Sequence, residues 1–168
     1  MANTSKTAEN TLENFKESVK IYEQTKGYYD KLRAVSDLVR EARKVQQSIL
    51  IVGDISQMYV ENFDRMLTDK HFTDKELSAI AAGYTRLLQG ASDQLVDLRQ
   101  IINPTDMSMN DKERLDLIDR IYNEIVRYRD LAEYYTRKNI SVAFIRSRKA
   151  GDLQRVTALY GGTDSKYW

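Results

Sequence analysis

The chain is poor in the residues from which most reactive sites are built. It has no cysteine, one histidine and one proline in 168 residues. The absence of cysteine excludes disulfides and thiolate metal sites. A single histidine, His71, is too little for the convergent ligand spacing of a zinc centre, and no serine or threonine is placed beside it in the pattern of a nucleophile and its base. The seven glycines form no phosphate-cradling loop. A formal net charge of +1 argues against a dedicated nucleic-acid binder, which carries a strong basic excess. No apolar run approaches the roughly 18 residues of a membrane span; the longest, Ile49-Leu50-Ile51-Val52, is one helical turn.

What the chain has instead is apolar periodicity. Residues 5–103 contain no proline, and apolar residues recur there at alternating steps of three and four, the mark of long amphipathic helices. The first line runs Leu12, Phe15, Val19, Tyr22, Tyr29, Leu32, Val35, Val39, Ala42, Val45, Ile49, Val52, Tyr59, Phe63, Met66. Its mean step is near 3.5, as in a coiled-coil seam. The spacing predicts a first helix over about 8–67, roughly 90 Å long at 1.5 Å per residue. Gly27 and Gly53 interrupt the line, each costing about 1 kcal/mol relative to alanine; the expectation is a continuous helix with Gly27 as the place for a bend.

A polar break at Thr68-Asp69-Lys70-His71-Phe72 is followed by Thr73-Asp74-Lys75-Glu76, a capping box with Phe72 and Leu77 placed as a hydrophobic staple. His71 in that turn is expected to be solvated. The second helix is predicted over 74–102, with the core line Leu77, Ile80, Ala81, Tyr84, Leu87, Leu88, Ala91, Leu95, Leu98, Ile102. Asn103-Pro104 ends it. Ser108-Met109-Asn110-Asp111 opens a third helix, predicted over 109–149. Its core line reads Leu115, Ile118, Ile121, Tyr122, Ile125, Tyr128, Leu131, Ala132, Tyr135 and continues through Ile140, Val142, Phe144 and Ile145. The weaker helix formers Asn139-Ile140-Ser141-Val142 are the place for a kink. A short helix at 152–159 and a polar tail at 161–168 complete the chain. The fold expected is all-α: a single domain spanning 1–168, an elongated bundle of three long antiparallel helices plus a short C-terminal helix.

The carboxylates Glu113, Asp116, Asp119 and Glu124 interleave with Lys112, Arg114, Arg120 and Arg127 at helical spacing, a salt-bridge-laced outer face. No catalytic, cofactor-binding or metal-ligating set stands out, and an enzyme is not expected. Most of the eleven tyrosines fall on core lines. Tyr28 and Tyr134 are the off-seam members of tyrosine pairs, and Tyr160, Tyr167 and Trp168 lie at the chain's end; these five are the candidate partner contacts. Arg137, Lys138, Arg146, Arg148 and Lys149 form one basic stretch, read either as a solvated helix end or as a patch for phosphate or an acidic partner.

Several strings carry a family resemblance. They include Phe15-Lys16-Glu17-Ser18-Val19-Lys20-Ile21-Tyr22, Tyr28-Tyr29-Asp30-Lys31-Leu32 and Val39-Arg40-Glu41-Ala42-Arg43-Lys44-Val45-Gln46-Gln47. Gly83-Tyr84-Thr85-Arg86-Leu87-Leu88, Lys138-Asn139-Ile140-Ser141-Val142, Ala158-Leu159-Tyr160-Gly161 and Tyr167-Trp168 continue it. In these the chain resembles the conjugal transfer proteins encoded by conjugative transposons of Bacteroidetes. The resemblance implies a component of a type IV secretion apparatus, similar in its helical bundle to the minor pilus subunit of such systems. Its partners would be other transfer-apparatus proteins or a homo-oligomer. Family members begin with a signal peptide, whereas Met1–Thr7 is polar and lacks the apolar core of one. The resemblance therefore implies a mature form placed in the periplasm, cell envelope or extracellular space. A cytosolic coiled-coil adaptor, or a nucleic-acid accessory factor of conjugation, is the alternative, resting on the basic stretch near Arg146.

Overall fold

A computed structural model describes residues 36–102 and 110–161, with side chains from residue 43 onward. Of the described residues, 92% are helical and none is in a strand. Four helices follow in order: α1 (Ser36–Thr68), α2 (Asp74–Ile102), α3 (Asp111–Ala150) and α4 (Leu153–Tyr160). The three long helices pack pairwise on one another, and α4 packs on α3. The part of the expected first helix over 8–35 lies outside the described residues, as do Gly27, Tyr28, Tyr167 and Trp168. Gly53 sits inside α1 without interrupting it, and α3 runs unbroken through Asn139–Val142.

The helix ends are set by local chemistry. Thr73 and Glu76 form the reciprocal capping box at the start of α2: the Thr73 backbone N–H donates to Glu76 Oε2 at 2.9 Å, and the Glu76 N–H donates to Thr73 Oγ at 3.3 Å. Asn110 and Glu113 form a second box at the start of α3, within the helix start expected at Ser108–Asp111. Gly151 ends α3 in a left-handed conformation, φ 69°. Its N–H and that of Asp152 return to Arg148 O and Ser147 O, a Schellman closure that a side chain with Cβ would strain.

The apolar lines converge on two contiguous core clusters. One joins Val45, Ile49, Val52 and Ile55 of α1 to Leu88, Leu95, Leu98 and Ile102 of α2 and to Ile118, Ile121 and Ile125 of α3. The other gathers Tyr59, Phe63 and Met66 with Phe72, Leu77, Ile80 and Tyr84, then Ile140, Phe144, Val156 and Tyr160. Each such side chain taken fully out of water contributes about 1.5–3 kcal/mol. Tyr59 and Tyr84 stack at 4.8 Å, and Tyr135 meets Tyr84 edge-on at 5.1 Å. Tyr84 shares a buried 2.6 Å hydrogen bond with Thr136. The Thr136 hydroxyl already donates to Ala132 O, so Tyr84 is the donor.

Two glycines fix the distance between α2 and α3. A Cβ on Gly83 would overlap the Tyr135 hydroxyl, and one on Gly90 would come within 2.5 Å of the Tyr128 ring. The glycines are seven residues apart, and so are the tyrosines, running the opposite way. The antiparallel pair therefore seats one tyrosine against one glycine every two turns, a consequence of helical periodicity.

Three positions on the expected third core line face outward. Leu131, Val142 and Ile145 are exposed to 42%, 36% and 49%. At each place the seam advances through a neighbour instead: Ala132, Ala143 and Phe144 are the buried residues. One residue turns a side chain by about 100° around a helix, enough to carry it from core to surface. The expected ladder of ion pairs on α3 is also sparser than its spacing. Glu124 reaches Arg127 at 3.6 Å, but Asp119 pairs with Lys44 of α1 and Glu113 is the cap.

Candidate interaction surface

The outward face of α3 is built by the same helical arithmetic that builds its core. Ile118, Ile121, Ile125, Ala132, Thr136, Ile140 and Ala143 turn inward. Leu131, Tyr134, Lys138, Val142, Ile145 and Lys149 are all exposed, at steps of 3, 4, 4, 3 and 4. They form a second stripe on the side of the helix away from the core. Tyr134, at 55% exposure, is the most open aromatic side chain of the bundle. The ammonium of Lys138 lies 5.3 Å from its ring centroid, a cation–π contact that holds the ring along the helix surface.

From Tyr134 onward the charge of this face is one-sided. From Tyr134 to Gly151 the sequence holds five cations and no carboxylate. Arg146 is already committed, since it forms a bidentate pair with Glu76 at 2.6 and 3.0 Å and donates to His71 O at 2.6 Å. Lys138 and Lys149 stand on the stripe itself, and the exposed Arg137 and Arg148 lie beside it. A row in which apolar side chains alternate with cations fits a surface that offers both apolar and acidic groups.

The α1–α2 turn holds a second polar cluster, and it differs from the expectation. His71 is not solvated: its side chain is 7% exposed and that of Asp69 is fully buried. Asp69 Oδ1 accepts from the His71 backbone N–H at 3.0 Å and meets His71 Nδ1 at 2.7 Å. Asp69 Oδ2 accepts from the Tyr160 hydroxyl at 3.0 Å. Tyr160, expected at a contact surface, is therefore a core residue at 3% exposure. Burial, and then the adjoining Asp69 carboxylate, push its hydroxyl pKa well above the usual tyrosine value. Lys70 pairs with Asp152, and Arg155 reaches Thr68 O, so α4 is laid over the turn and tied on both sides. Every oxygen of Asp69 is used in this tie. The cluster joins α1, α2 and α4, with Arg146 adding α3.

A shallow groove between α1 and α3, of about 450 Å³, is lined by Met58, Glu61, Arg65, Glu133, Thr136 and Arg137. Two acids and two bases leave it without a net charge, and its inner hydroxyl, Thr136, is bonded to Tyr84 and Ala132. Among the described residues no group of histidines and carboxylates could hold a metal ion, and no helix is long and apolar enough to cross a membrane. Of the five expected contact residues, Tyr134 alone is both described and exposed. Leu131, Val142 and Ile145 were missed as surface residues because spacing alone placed them on the core line. No family model, curated protein or solved structure matches the chain.

Proposed function

We propose that the chain is a non-enzymatic structural or adhesive component of a conjugative DNA-transfer apparatus of the type IV secretion class, acting outside the inner membrane through protein–protein contacts. The observation that carries the binding role is the exposed row Leu131, Tyr134, Val142 and Ile145 on a helix whose opposite side is fully occupied by core. Contiguous exposed apolar surface is a mark of interaction sites, whereas singly scattered apolar side chains are ordinary. The sequence resemblance supplies the apparatus. The test is complementation of a deletion strain with the full gene, either unchanged or carrying Tyr134→Ala with Ile145→Asp. DNA transfer is expected to fall toward the level of the deletion while the purified variant keeps its helical circular dichroism. The gene product is expected in the envelope or outside the cell. Recovery from the cytosol alone, or undiminished transfer by the variant, overturns the reading.

The five cations without a carboxylate between Tyr134 and Gly151 favour one second reading, a cytosolic adaptor or nucleic-acid accessory factor. A gel shift decides it, since binding through phosphates weakens steeply as salt rises.

A further inference from the structure

The groove between α1 and α3 has a defined register. Lys44 of α1 pairs with Asp119 of α3. Counting both helices forward from that pair sets Met58 level with Glu133, Glu61 with Thr136 and Asn62 with Arg137, and these same residues line the groove. Its walls are therefore parallel helices in step with each other. Each wall carries a glutamate four residues before an arginine: Glu61 and Arg65 on α1, Glu133 and Arg137 on α3. Along the groove the order is Glu133, Glu61, Arg137, Arg65. The carboxylates stand at one end and the guanidinium groups at the other, toward the α1–α2 turn. On each wall the two charges are about 6 Å apart along the axis.

Glutamate before arginine at this spacing is the favoured arrangement for an ion pair within a helix. The ion pairs among the described residues nevertheless involve none of the four. Gln57 donates to Glu61 Oε1 at 2.6 Å, which leaves Oε2 for another donor. The floor is already satisfied: the Asn62 amide donates to Met58 O at 2.8 Å, and the Thr136 hydroxyl is held by Tyr84 and Ala132. Recognition in this groove rests on its four charged side chains.

A groove that is neutral in sum and polarised from end to end complements a ligand of the opposite polarity, cationic at the glutamate end and anionic at the arginine end. The spacing selects its length. In a free amino acid the ammonium nitrogen and the carboxylate carbon are two bonds apart, about 2.5 Å, too short to serve both ends. A dipeptide in extended form spans about 7 Å. A volume of about 450 Å³ is within the range of small-molecule sites. We infer that the α1–α3 groove binds short peptides of about two residues with both termini free. Glu61 and Glu133 hold the ammonium group, and Arg65 and Arg137 hold the carboxylate through their planar forks. Exposed pairs of this kind are individually weak and are screened by salt, so the binding is weak and falls with ionic strength.

The test is an NMR titration of the full-length 15N-labelled protein with L-alanyl-L-alanine. Amide signals within 58–65 and 133–137 are expected to shift and saturate at millimolar ligand, and to move less as salt is added. L-alanine, the N-acetylated dipeptide and the dipeptide amide are each expected to bind several-fold more weakly. Arg65→Gln with Arg137→Gln is expected to bind the free dipeptide and its amide equally while still rejecting the acetylated form. Glu61→Gln with Glu133→Gln is expected to show the reverse preference. All four positions are exposed, so both variants are expected to keep the helical circular dichroism of the parent. Shifts that do not saturate or that fall outside the groove overturn the inference. So does a wild-type protein that binds alanine or either capped dipeptide as tightly as the free one, or a pair of variants that discriminates as the wild type does. Tighter binding of tetra-alanine than of the dipeptide overturns the assignment of length.

Discussion

At the scale of single residues, the spacing of α2 and α3 is decided by the absence of side chains at Gly83 and Gly90. Glycine normally costs a helix about 1 kcal/mol relative to alanine, so Gly83→Ala would stabilise an isolated helix. In this bundle the added methyl overlaps Tyr135, whose hydroxyl lies 3.4 Å from Ile80 O. Gly83→Ala is therefore expected to destabilise the protein by about 1–3 kcal/mol, the usual range for overpacking. Thermal unfolding of the variant checks it, and a raised midpoint would mean that Tyr135 gives way freely. Residue roles of this kind were only partly legible in the sequence. The line from Leu77 to Ile102 predicted the buried α2 side chains, with Leu87 alone only half-buried, because a helix facing two partners along its whole length repeats one rule. Tyr160 and His71 were misplaced because their burial is decided by α4 folding back across a turn some ninety residues earlier, which no local pattern encodes.

At the scale of elements, Glu76 shows how a local signal acquires a distant role. Its capping of α2 was readable from Thr73 three residues before it. Its pairing with Arg146, 70 residues away, was not, although Arg146 had stood out as part of a basic run. The Arg146 guanidinium first, then Thr73, hold the Glu76 carboxyl down at about 2, against an ordinary 4.5. A carboxyl with a depressed pKa in the fold stabilises above its unfolded value and loses that contribution as pH falls toward the folded one. Wild-type stability is thus expected to decline between pH 4.5 and 2 more steeply than that of Glu76→Gln. Glu76→Gln itself should unfold at a lower temperature near neutral pH. Parallel acid dependence of the two unfolding midpoints would show that the pair is inert. The helix α4 depends on the neighbouring tie in a different way. Asp69→Ala leaves the buried Tyr160 hydroxyl and His71 Nδ1 without their acceptor, at a cost of about 1–3 kcal/mol per stranded group. The short helix has only Val156 and Tyr160 buried, so hydrogen exchange in 153–160 is expected to accelerate ahead of exchange in α2. Uniform acceleration along the chain would place Asp69 in global stability instead.

At the scale of the whole molecule, the contest is between compactness and the length that unbroken apolar lines impose. A compact chain of this size has a radius of gyration of about 15 Å. The 40 residues of α3 alone span about 60 Å, and a uniform rod of that length has a radius of gyration near 17 Å before its width is added, so the bundle cannot be spherical. The all-α architecture was legible because three of its helices are long enough for periodicity to dominate every competing signal, and only one proline and a few polar turns punctuate them. The remaining question of length lies in the line from Leu12 to Val35, whose spacing predicts that the first helix starts near residue 8. A helix from there to Thr68 is about 90 Å long. Small-angle X-ray scattering at low concentration separates the cases. A maximum dimension of at least about 60 Å is expected from the bundle, and about 90 Å or more if the apolar line continues as one rod. A value nearer 60 Å folds residues 8–35 back along the bundle.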